Sequence, residues 1–222
     1  MSKETRKQRI ERVARIIEVL QQEYPDARCS LDYGTPHQLL VAAILAAQCT
    51  DERVNQVTPE LFRKYPDVRA FAEADESELE DMVRSTGFFR NKTKAIIASA
   101  REILEDFGGI VPDTIDELTS LSGVGRKTAN LIVGDAYGKP AVIVDTHVKR
   151  ISGRLGLTTN TDPDKIEFDL REVLSESEST HFNHLMVYHG RAVCKAPKPK
   201  CDICAIARLC PIGTGDKPLS KK

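Results

Sequence analysis

Apolar residues recur at intervals of three or four positions along most of the chain. One such stripe contains Ile10, Val13, Ile17 and Leu20, and a second lies within residues 96–107. This spacing predicts amphipathic helices, whereas the alternation that is typical of strands is nearly absent. The pattern therefore predicts an all-α protein of about ten short helices.

Capping residues and glycines indicate where these helices begin and end. Thr35 with Pro36 and Asp162 with Pro163 have the form of helix starts, and residues 114–117 have the form of a capping box. Helix ends are expected just before four glycines, Gly87, Gly108, Gly138 and Gly156. The short apolar run at residues 142–144 is expected to be a buried link between helices rather than a strand.

Composition is that of a globular protein with a substantial core. The chain has 222 residues, of which 41% are hydrophobic and 29% are charged, and this length suits one large domain or two small lobes. No apolar run has the length of a membrane span, and the charged N-terminal segment lacks the features of a signal peptide. We therefore expect a cytoplasmic protein without a membrane partner.

The net charge of −1 conceals an uneven distribution. Residues 189–222 contain eight lysines and arginines against two aspartates, whereas residues 73–81 and 162–178 are mostly acidic. A basic end with acidic patches elsewhere suits a protein that presents one face to a polyanion. Charge alone leaves open an ordinary mixed surface.

Residues 118–133 predict two short helices joined by a tight turn. Gly123 and Gly125 allow the turn, and the second helix is expected to start near Arg126. Free N–H groups at a helix N-terminus, together with a close approach of the backbone, favour phosphate binding. For the glycines alone, a plain helix–turn–helix corner is the alternative, but Arg126 and the following Lys127 favour the phosphate site.

Four of the six cysteines follow the pattern C-x6-C-x2-C-x5-C, at Cys194, Cys201, Cys204 and Cys210. Clustered cysteines in a cytosolic chain are more often metal ligands than disulfides. Four thiolates suit either a tetrahedral zinc ion or a cubane iron–sulfur cluster, and the spacing by itself leaves both open. Cys29 and Cys49 lie outside the pattern and are expected to be ordinary core residues.

A basic loop separates the first two of these cysteines. It contains Lys195, Lys198 and Lys200, and two prolines that are expected to keep it extended. Lysines held in this way are suited to phosphate contacts, which add affinity without sequence preference. A solvated linker is the alternative.

The glycine turn resembles the hairpin signature of the helix-hairpin-helix DNA glycosylases, and among them of the endonuclease III family. The match covers residues 121–129, Leu-Ser-Gly-Val-Gly-Arg-Lys-Thr-Ala, and departs only at Ser122, where proline is usual. That change is expected to stiffen the turn less and to weaken DNA docking slightly. Residues 144–148, Val-Asp-Thr-His-Val, match the second signature, and the resemblance extends from residues 39–51 to the patterned cysteines, nearly the whole chain.

This resemblance implies an all-α, two-lobed helix-hairpin-helix DNA glycosylase fold with a C-terminal [4Fe-4S] cluster loop. One lobe would be a helical barrel over residues 29–139, with the hairpin at about 114–137. The other would join residues 1–28 to residues 140–222 and would contain the cluster loop, residues 194–210. DNA would lie across the cleft between the lobes.

The resemblance also implies a catalytic pair and a cofactor. Lys127 would attack C1′ of the damaged nucleotide, expel the base and form a Schiff base that permits β-elimination. A lysine attacks as the neutral amine. Burial, a neighbouring cation and a helix N-terminus all favour that neutral form, and all three are expected at Lys127. Asp145 would stabilise positive charge on the sugar and help to activate Lys127, which is compatible with a structural role as a helix N-cap. The four patterned cysteines would hold one [4Fe-4S] cluster.

Further residues are expected at DNA by the same resemblance. Gln48 would enter the base stack and Phe88 would act as a wedge in the opposite strand, although Phe88 also suits a buried aromatic near a helix end. His147 would contact a phosphate or simply pack. Ala46 and Cys49 depart from the family's usual residues and bear on lesion preference. The other expected DNA contacts are Gly123, Val124, Gly125, Arg126, Lys195, Lys198 and Lys200.

The implied function is that of a bifunctional glycosylase and abasic-site lyase of base-excision repair. Its substrates would be double-stranded DNA with damaged bases, chiefly oxidised pyrimidines, or with abasic sites, and the enzyme would be a monomer that joins the nucleoid when it binds DNA. Two alternatives are a monofunctional glycosylase of the same superfamily and a non-catalytic iron–sulfur module that binds DNA or senses redox state. Borohydride trapping distinguishes them, because only a lyase leaves a covalent adduct.

Overall fold

A computed structural model describes residues 4–215, and in that range the chain forms helices and connecting segments without a strand. The predicted all-α class is therefore confirmed. The eleven α-helices in the described range are α1 (Arg6–Glu23), α2 (Pro36–Leu45), α3 (Asp51–Lys64), α4 (Val68–Ala72), α5 (Glu76–Val83), α6 (Phe89–Asp106), α7 (Ile115–Ser120), α8 (Arg126–Leu131), α9 (Thr146–Arg154), α10 (Pro163–Arg171) and α11 (Ser179–Ala192).

Shorter helical turns complete the described secondary structure. Turns of 3-10 type lie at Arg84–Thr86, Cys201–Ile203 and Ala207–Leu209, and a π-helical turn at Ile132–Ala136 directly follows α8. Between residues 4 and 215, none of the helices is long and apolar enough to cross a bilayer.

The predicted helix boundaries agree with the structure. The Thr35 side chain accepts a hydrogen bond from Gln38 N at the start of α2, and Asp162 caps α10 in the same way. The glycines expected beyond helix ends adopt left-handed φ angles, which glycine tolerates at little cost: Gly87, Gly108, Gly138 and Gly156.

The chain divides into two compact units, each with its own apolar core. We call Cys29–Lys139 the hairpin unit, and the remainder, up to Arg28 and from Pro140 onward, the cysteine unit. In the hairpin unit, α6 packs against α2, α4 and α5. Its buried face follows the predicted helical stripe and includes Ile96, Ala100 and Ile103.

The cysteine unit is assembled around α1, α9 and α11, with α11 packing against both of the others. Burial of each large apolar side chain contributes roughly 1.5–3 kcal/mol, which makes the stripe on α1 a substantial part of this core. The buried residues of that stripe are Val13, Ile16, Ile17 and Leu20. Val142 and Ile143 are also buried and lie outside any strand, as expected of a link.

Candidate functional site

The predicted hairpin is present in the hairpin unit. The first of its two helices, α7, ends at Ser120 and the second, α8, begins at Arg126. Gly123 has a φ of +75°, a conformation that L side chains rarely adopt. Gly125 is the N-cap of α8 and supplies no side-chain hydrogen bond to the first turn of that helix.

The hairpin is fastened to α6 at two points. A Cβ at Gly123 would lie 2.5 Å from Ala95 Cβ, so only glycine fits against that helix. Ser122 donates its backbone N–H to Glu102 Oε2 at 2.7 Å and its hydroxyl to Glu102 Oε1 at 2.6 Å. The expectation that serine leaves the turn less stiff is therefore incomplete, because these two bonds hold the turn and proline has no N–H to make the first one.

Lys127 lies in the first turn of α8, next to Arg126, as predicted. Its side chain is exposed, so the burial expected for it is not found in the structure. Its position at a helix start and the adjacent Arg126 are the two expected features that the structure does show. Val124 is buried, so only its backbone can face a ligand.

Asp145 is the N-cap of α9 in the cysteine unit, and its Oδ1 accepts a hydrogen bond from Val148 N at 2.7 Å. The structural role predicted for it is confirmed. The carboxylate is half-buried, which leaves part of it accessible. The capping bond uses Oδ1, so Oδ2 is not occupied by the cap.

His147 lies in the first turn of the same helix and is half-buried. Its Nδ1 is 3.1 Å from Arg150 Nη2, and burial lowers the pKa of its imidazole, with Arg150 lowering it further and Asp145 opposing the change. A Cβ at Gly190 would lie 2.3 Å from His147 Nδ1. His147 thus packs closely against Arg150 and Gly190.

Gln48 and Phe88 have an unusual backbone conformation in common. They are non-glycine residues with positive φ, 54° and 49° respectively, and both side chains are exposed, Phe88 by 63%. The alternative that Phe88 is a buried aromatic is wrong. Left-handed φ at a non-glycine residue costs of order 1–3 kcal/mol and is concentrated at functional sites.

The four patterned cysteines line one small cavity in the cysteine unit, and all four are half-buried free thiols. Arg154 and His189 line the same cavity. Arg154 Nη1 lies 3.1 Å from Cys194 Sγ, and His189 Nε2 lies 3.6 Å from Cys204 Sγ. Burial raises the pKa of the Cys204 thiol, so a thiolate there needs a compensating positive charge.

The residues that line this cavity fit a metal centre ligated by thiolates. Four soft sulfur donors suit a cubane cluster, and Arg154 Nη1 is an N–H donor to one of the sulfurs. Cys29 and Cys49 lie in the hairpin unit, half-buried and outside this cavity.

The basic loop departs from its predicted shape. Its lysines, Lys195, Lys198 and Lys200, are exposed as expected. However, Lys195 N and Lys200 N both donate to Val193 O, at 2.9 and 3.0 Å, so the segment closes into a loop instead of remaining extended. Closure presents the three ammonium groups from one compact segment.

Three buried or half-buried residues near these features carry no signal in the sequence. Lys92, Glu102 and Arg154 each bind a segment that is distant along the chain. A lone lysine, glutamate or arginine on an amphipathic helix is normally a solvated residue, so only the folded structure distinguishes them.

Known proteins resemble this chain over most of its length. Residues 41–176 match the family model of the HhH-GPD superfamily of base excision DNA repair proteins. That superfamily is the class of protein that the hairpin and the all-helical fold define. Endonuclease III of Synechocystis sp. is 54% identical over 202 residues, which are 90% of this chain and 92% of that protein. Endonuclease III of Bacillus subtilis is 42% identical over 188 residues, 84% and 86% of the two chains.

Solved structures agree with these relatives. A trapped endonuclease III–DNA covalent intermediate has a TM-score of 0.85 at 38% identity, and the match covers 93% of this chain and 97% of that one. The chain belongs to the endonuclease III family, the base-excision repair enzymes with DNA glycosylase and AP lyase activity. The predicted family, fold class and enzyme class are confirmed.

Proposed function

We propose that this enzyme excises damaged bases from double-stranded DNA and cleaves the resulting abasic site, with Lys127 as the nucleophile and Asp145 as the stabilising carboxylate. Lys127 Nζ bonds to C1′ while the N-glycosidic bond breaks, and the base leaves with that electron pair and takes up a proton. Ring opening gives a Schiff base between Lys127 and C1′. Loss of a proton from C2′ then expels the 3′ phosphate by β-elimination.

One observation carries this proposal: Lys127 is an exposed amine in the first turn of the hairpin's second helix. An exposed amine at that point can reach a sugar whose phosphates are bound by the turn. The similarity to a trapped endonuclease III–DNA covalent intermediate, solved for a protein 38% identical, supports a covalent route. The Asp145 carboxylate would stabilise the positive charge that develops on the sugar as the base departs.

Borohydride trapping on duplex DNA with an abasic site tests the nucleophile. The wild-type chain is expected to form a covalent adduct, and Lys127→Ala is expected to form none. Lys165→Ala, which removes another exposed lysine, is the matched control and should trap like wild type. A wild-type protein that excises bases without trapping would instead be a monofunctional glycosylase, and one that binds DNA without excision would be a non-catalytic module.

Base extrusion requires side chains that fill the vacated space, and Gln48 and Phe88 are proposed for that role. Their exposure and left-handed backbone support it. The phosphate contacts are proposed to come from the backbone of residues 123–125 and from Arg126, His147, Lys195, Lys198 and Lys200. Each phosphate contact contributes about 0.9 to the slope of log K against log salt concentration, so removing the three loop lysines should reduce that slope measurably.

Cys194, Cys201, Cys204 and Cys210 are proposed to hold one [4Fe-4S] cluster. When bound, it would fix the C-terminal segment, including the basic loop, in one conformation. Iron and sulfide analysis of the purified protein should give about four of each per chain. A colourless protein that contains zinc would contradict the assignment.

Oxidised pyrimidines are the proposed lesions, and a panel of oligonucleotides with single defined lesions tests this preference. The enzyme is proposed to act as a monomer in the cytoplasm, bound to the nucleoid when it engages DNA. A panel in which other lesions are excised faster than oxidised pyrimidines would contradict the substrate assignment but not the lyase chemistry.

A further inference from the structure

Lys92, in the first turn of α6, is almost fully buried in the hairpin unit, with 5% of its surface exposed. Lysine is rarely buried to this extent unless its charge is paired. Its Nζ donates to Leu45 O at 2.8 Å and to Thr86 O at 2.7 Å. Burial lowers the pKa of this ammonium group, so the two bonds offset a real cost of desolvation.

The two acceptors are the last residues of two helical segments. Leu45 ends α2, and Thr86 ends the 3-10 turn Arg84–Thr86. Carbonyl groups at helix ends lack partners within the helix and carry partial negative charge. One buried cation therefore caps two helix ends that are 41 residues apart in sequence and brings them to the same point.

The chain beyond each of these carbonyls leads directly to a left-handed residue. Gln48 lies three residues after Leu45, and Phe88 lies two residues after Thr86. Only two or three residues of backbone therefore separate each carbonyl that Lys92 binds from the exposed side chain of Gln48 or Phe88. Movement of either helix end would displace its side chain, and the shared ammonium group links the two displacements.

We infer that Lys92 is a positioning residue that makes Gln48 and Phe88 enter the duplex as one unit instead of independently. The inference rests on the proposed role of these two side chains in base extrusion. Lys92 itself has no part in the chemical steps, because it is buried and its donors are directed at protein carbonyls. Without it, each loop would still exist but would be placed separately.

A double-mutant cycle in the full chain tests this coupling. Extrusion is measured with 2-aminopurine beside the lesion, for wild type, Gln48→Ala, Phe88→Ala and the double variant, each with and without Lys92→Met. With Lys92 present, the double variant is expected to lose several-fold less than the product of the two single losses. In the K92M background, the losses are expected to multiply.

A comparison of two substrates separates positioning from a general structural defect. K92M is expected to slow single-turnover excision of a paired lesion by about tenfold, but to slow trapping at an abasic site in a bulge by less than about twofold, because extrusion there has little to displace. Lys94→Met is the matched control: the same substitution on the same helix at an exposed lysine, which should leave both rates unchanged. Equal losses on the two substrates would overturn the inference.

The outcomes distinguish this inference from the proposed function beneath it. If neither Gln48→Ala nor Phe88→Ala impairs extrusion, the insertion role fails and the Lys92 inference fails with it. If both impair extrusion but their losses multiply while Lys92 is present, only the Lys92 inference fails. That arm of the cycle uses the native Lys92 and so decides the question even if K92M does not fold.

Discussion

Two lysines of the hairpin unit, Lys127 and Lys92, differ in burial and therefore in what their amino groups can bind. Lys127 and Lys92 are both lysines in the first turns of helices of the hairpin unit, but the first is exposed and the second almost fully buried. The exposed amine is available to a substrate, whereas the buried one is committed to two protein carbonyls. Sequence motif alone ranks Lys127 as important and passes over Lys92.

Asp145 combines a cap and a charge, and one substitution separates them. Asparagine caps helices about as well as aspartate, so Asp145→Asn is expected to change the free energy of unfolding by less than about 0.5 kcal/mol. Loss of the negative charge is expected to slow base excision by about 10²–10³-fold, as for other groups that stabilise charge in a transition state. Urea unfolding and single-turnover excision provide the two measurements. A variant that is destabilised but excises normally would show that only the cap matters.

His37 predicts a pH dependence of stability. It is 7% exposed and its ring lies against Phe71, with ring centroids 5.2 Å apart. Burial lowers the pKa of His37 from 6.5 to about 4, opposed in part by Asp67. Between pH 6.5 and about 4, the unfolded chain therefore binds a proton at His37 that the folded chain does not bind. Stability from neutral His37 is complete above pH 6.5 and is lost as the pH falls towards 4.

The expected loss is about 3 kcal/mol across that window, since one proton contributes about 1.4 kcal/mol for each pH unit. Urea unfolding at a series of pH values measures it. His37→Phe keeps an aromatic ring beside Phe71 and is expected to remove this part of the pH dependence. Identical curves for the two proteins would contradict the assignment.

At the scale of elements, α6 organises the hairpin unit. Lys92 in its first turn binds the ends of the two helical segments at Leu45 and Thr86. Further along α6, Ala95 lies against Gly123 and Glu102 accepts hydrogen bonds from Ser122. The predicted helical stripe accounts for the buried face of α6 but not for these contacts. They link three segments proposed to touch DNA to a single helix.

The two left-handed positions predict a trade between stability and function. Glycine adopts positive φ without steric cost, so Gln48→Gly and Phe88→Gly are each expected to raise the free energy of unfolding by about 0.5–1 kcal/mol. Each should also slow excision, because the inserting side chain is lost. Alanine at the same positions keeps the strain and removes the side chain, and so is the matched control. Glycine variants less stable than the alanine variants would contradict the strain argument.

At the scale of the whole molecule, arginines on α1 and α9 bind the segment of residues 194–210, which contains the four patterned cysteines. Arg12 on α1 donates to Leu155 O at 3.0 Å and to Leu209 O at 3.1 Å. Arg154 on α9 donates to Cys194 O at 3.2 Å as well as to its sulfur. The segment that is proposed to bind the cluster is thus held by the first helix of the chain as well as by α9.

Arg154→Met is expected to weaken retention of the proposed cluster. The variant loses the N–H donor to Cys194 Sγ, and loss of an outer-shell partner of this kind typically costs 10–100-fold in metal affinity. Iron content and the rate of bleaching with a chelator measure the effect. Arg208→Met, at an exposed arginine between Cys204 and Cys210, is the control and should bleach like wild type. Equal rates for the two variants would count against a role of Arg154 at the sulfur.

Local patterns in the sequence were sufficient to predict much of the fold and part of the candidate site. Helix class, the caps at Thr35 and Asp162 and the hairpin turn agree with the structure. Burial of Lys127 and an extended basic loop did not, because both depend on what surrounds a segment. The alternative of a core aromatic at Phe88 failed for the same reason, because this side chain is 63% exposed.

What the sequence determined by itself lies within a few residues along the chain: which segments are helical, where they start and stop, and where Lys127 and the four cysteines stand. Backbone preferences and capping bonds act between neighbours, so short patterns suffice for them. Only the tertiary structure decided that Lys92 meets Leu45 and Thr86, and that Ser122 meets Glu102. Such contacts join residues that are distant in sequence, and they exist only because packing of the core brings those residues together and excludes water from them.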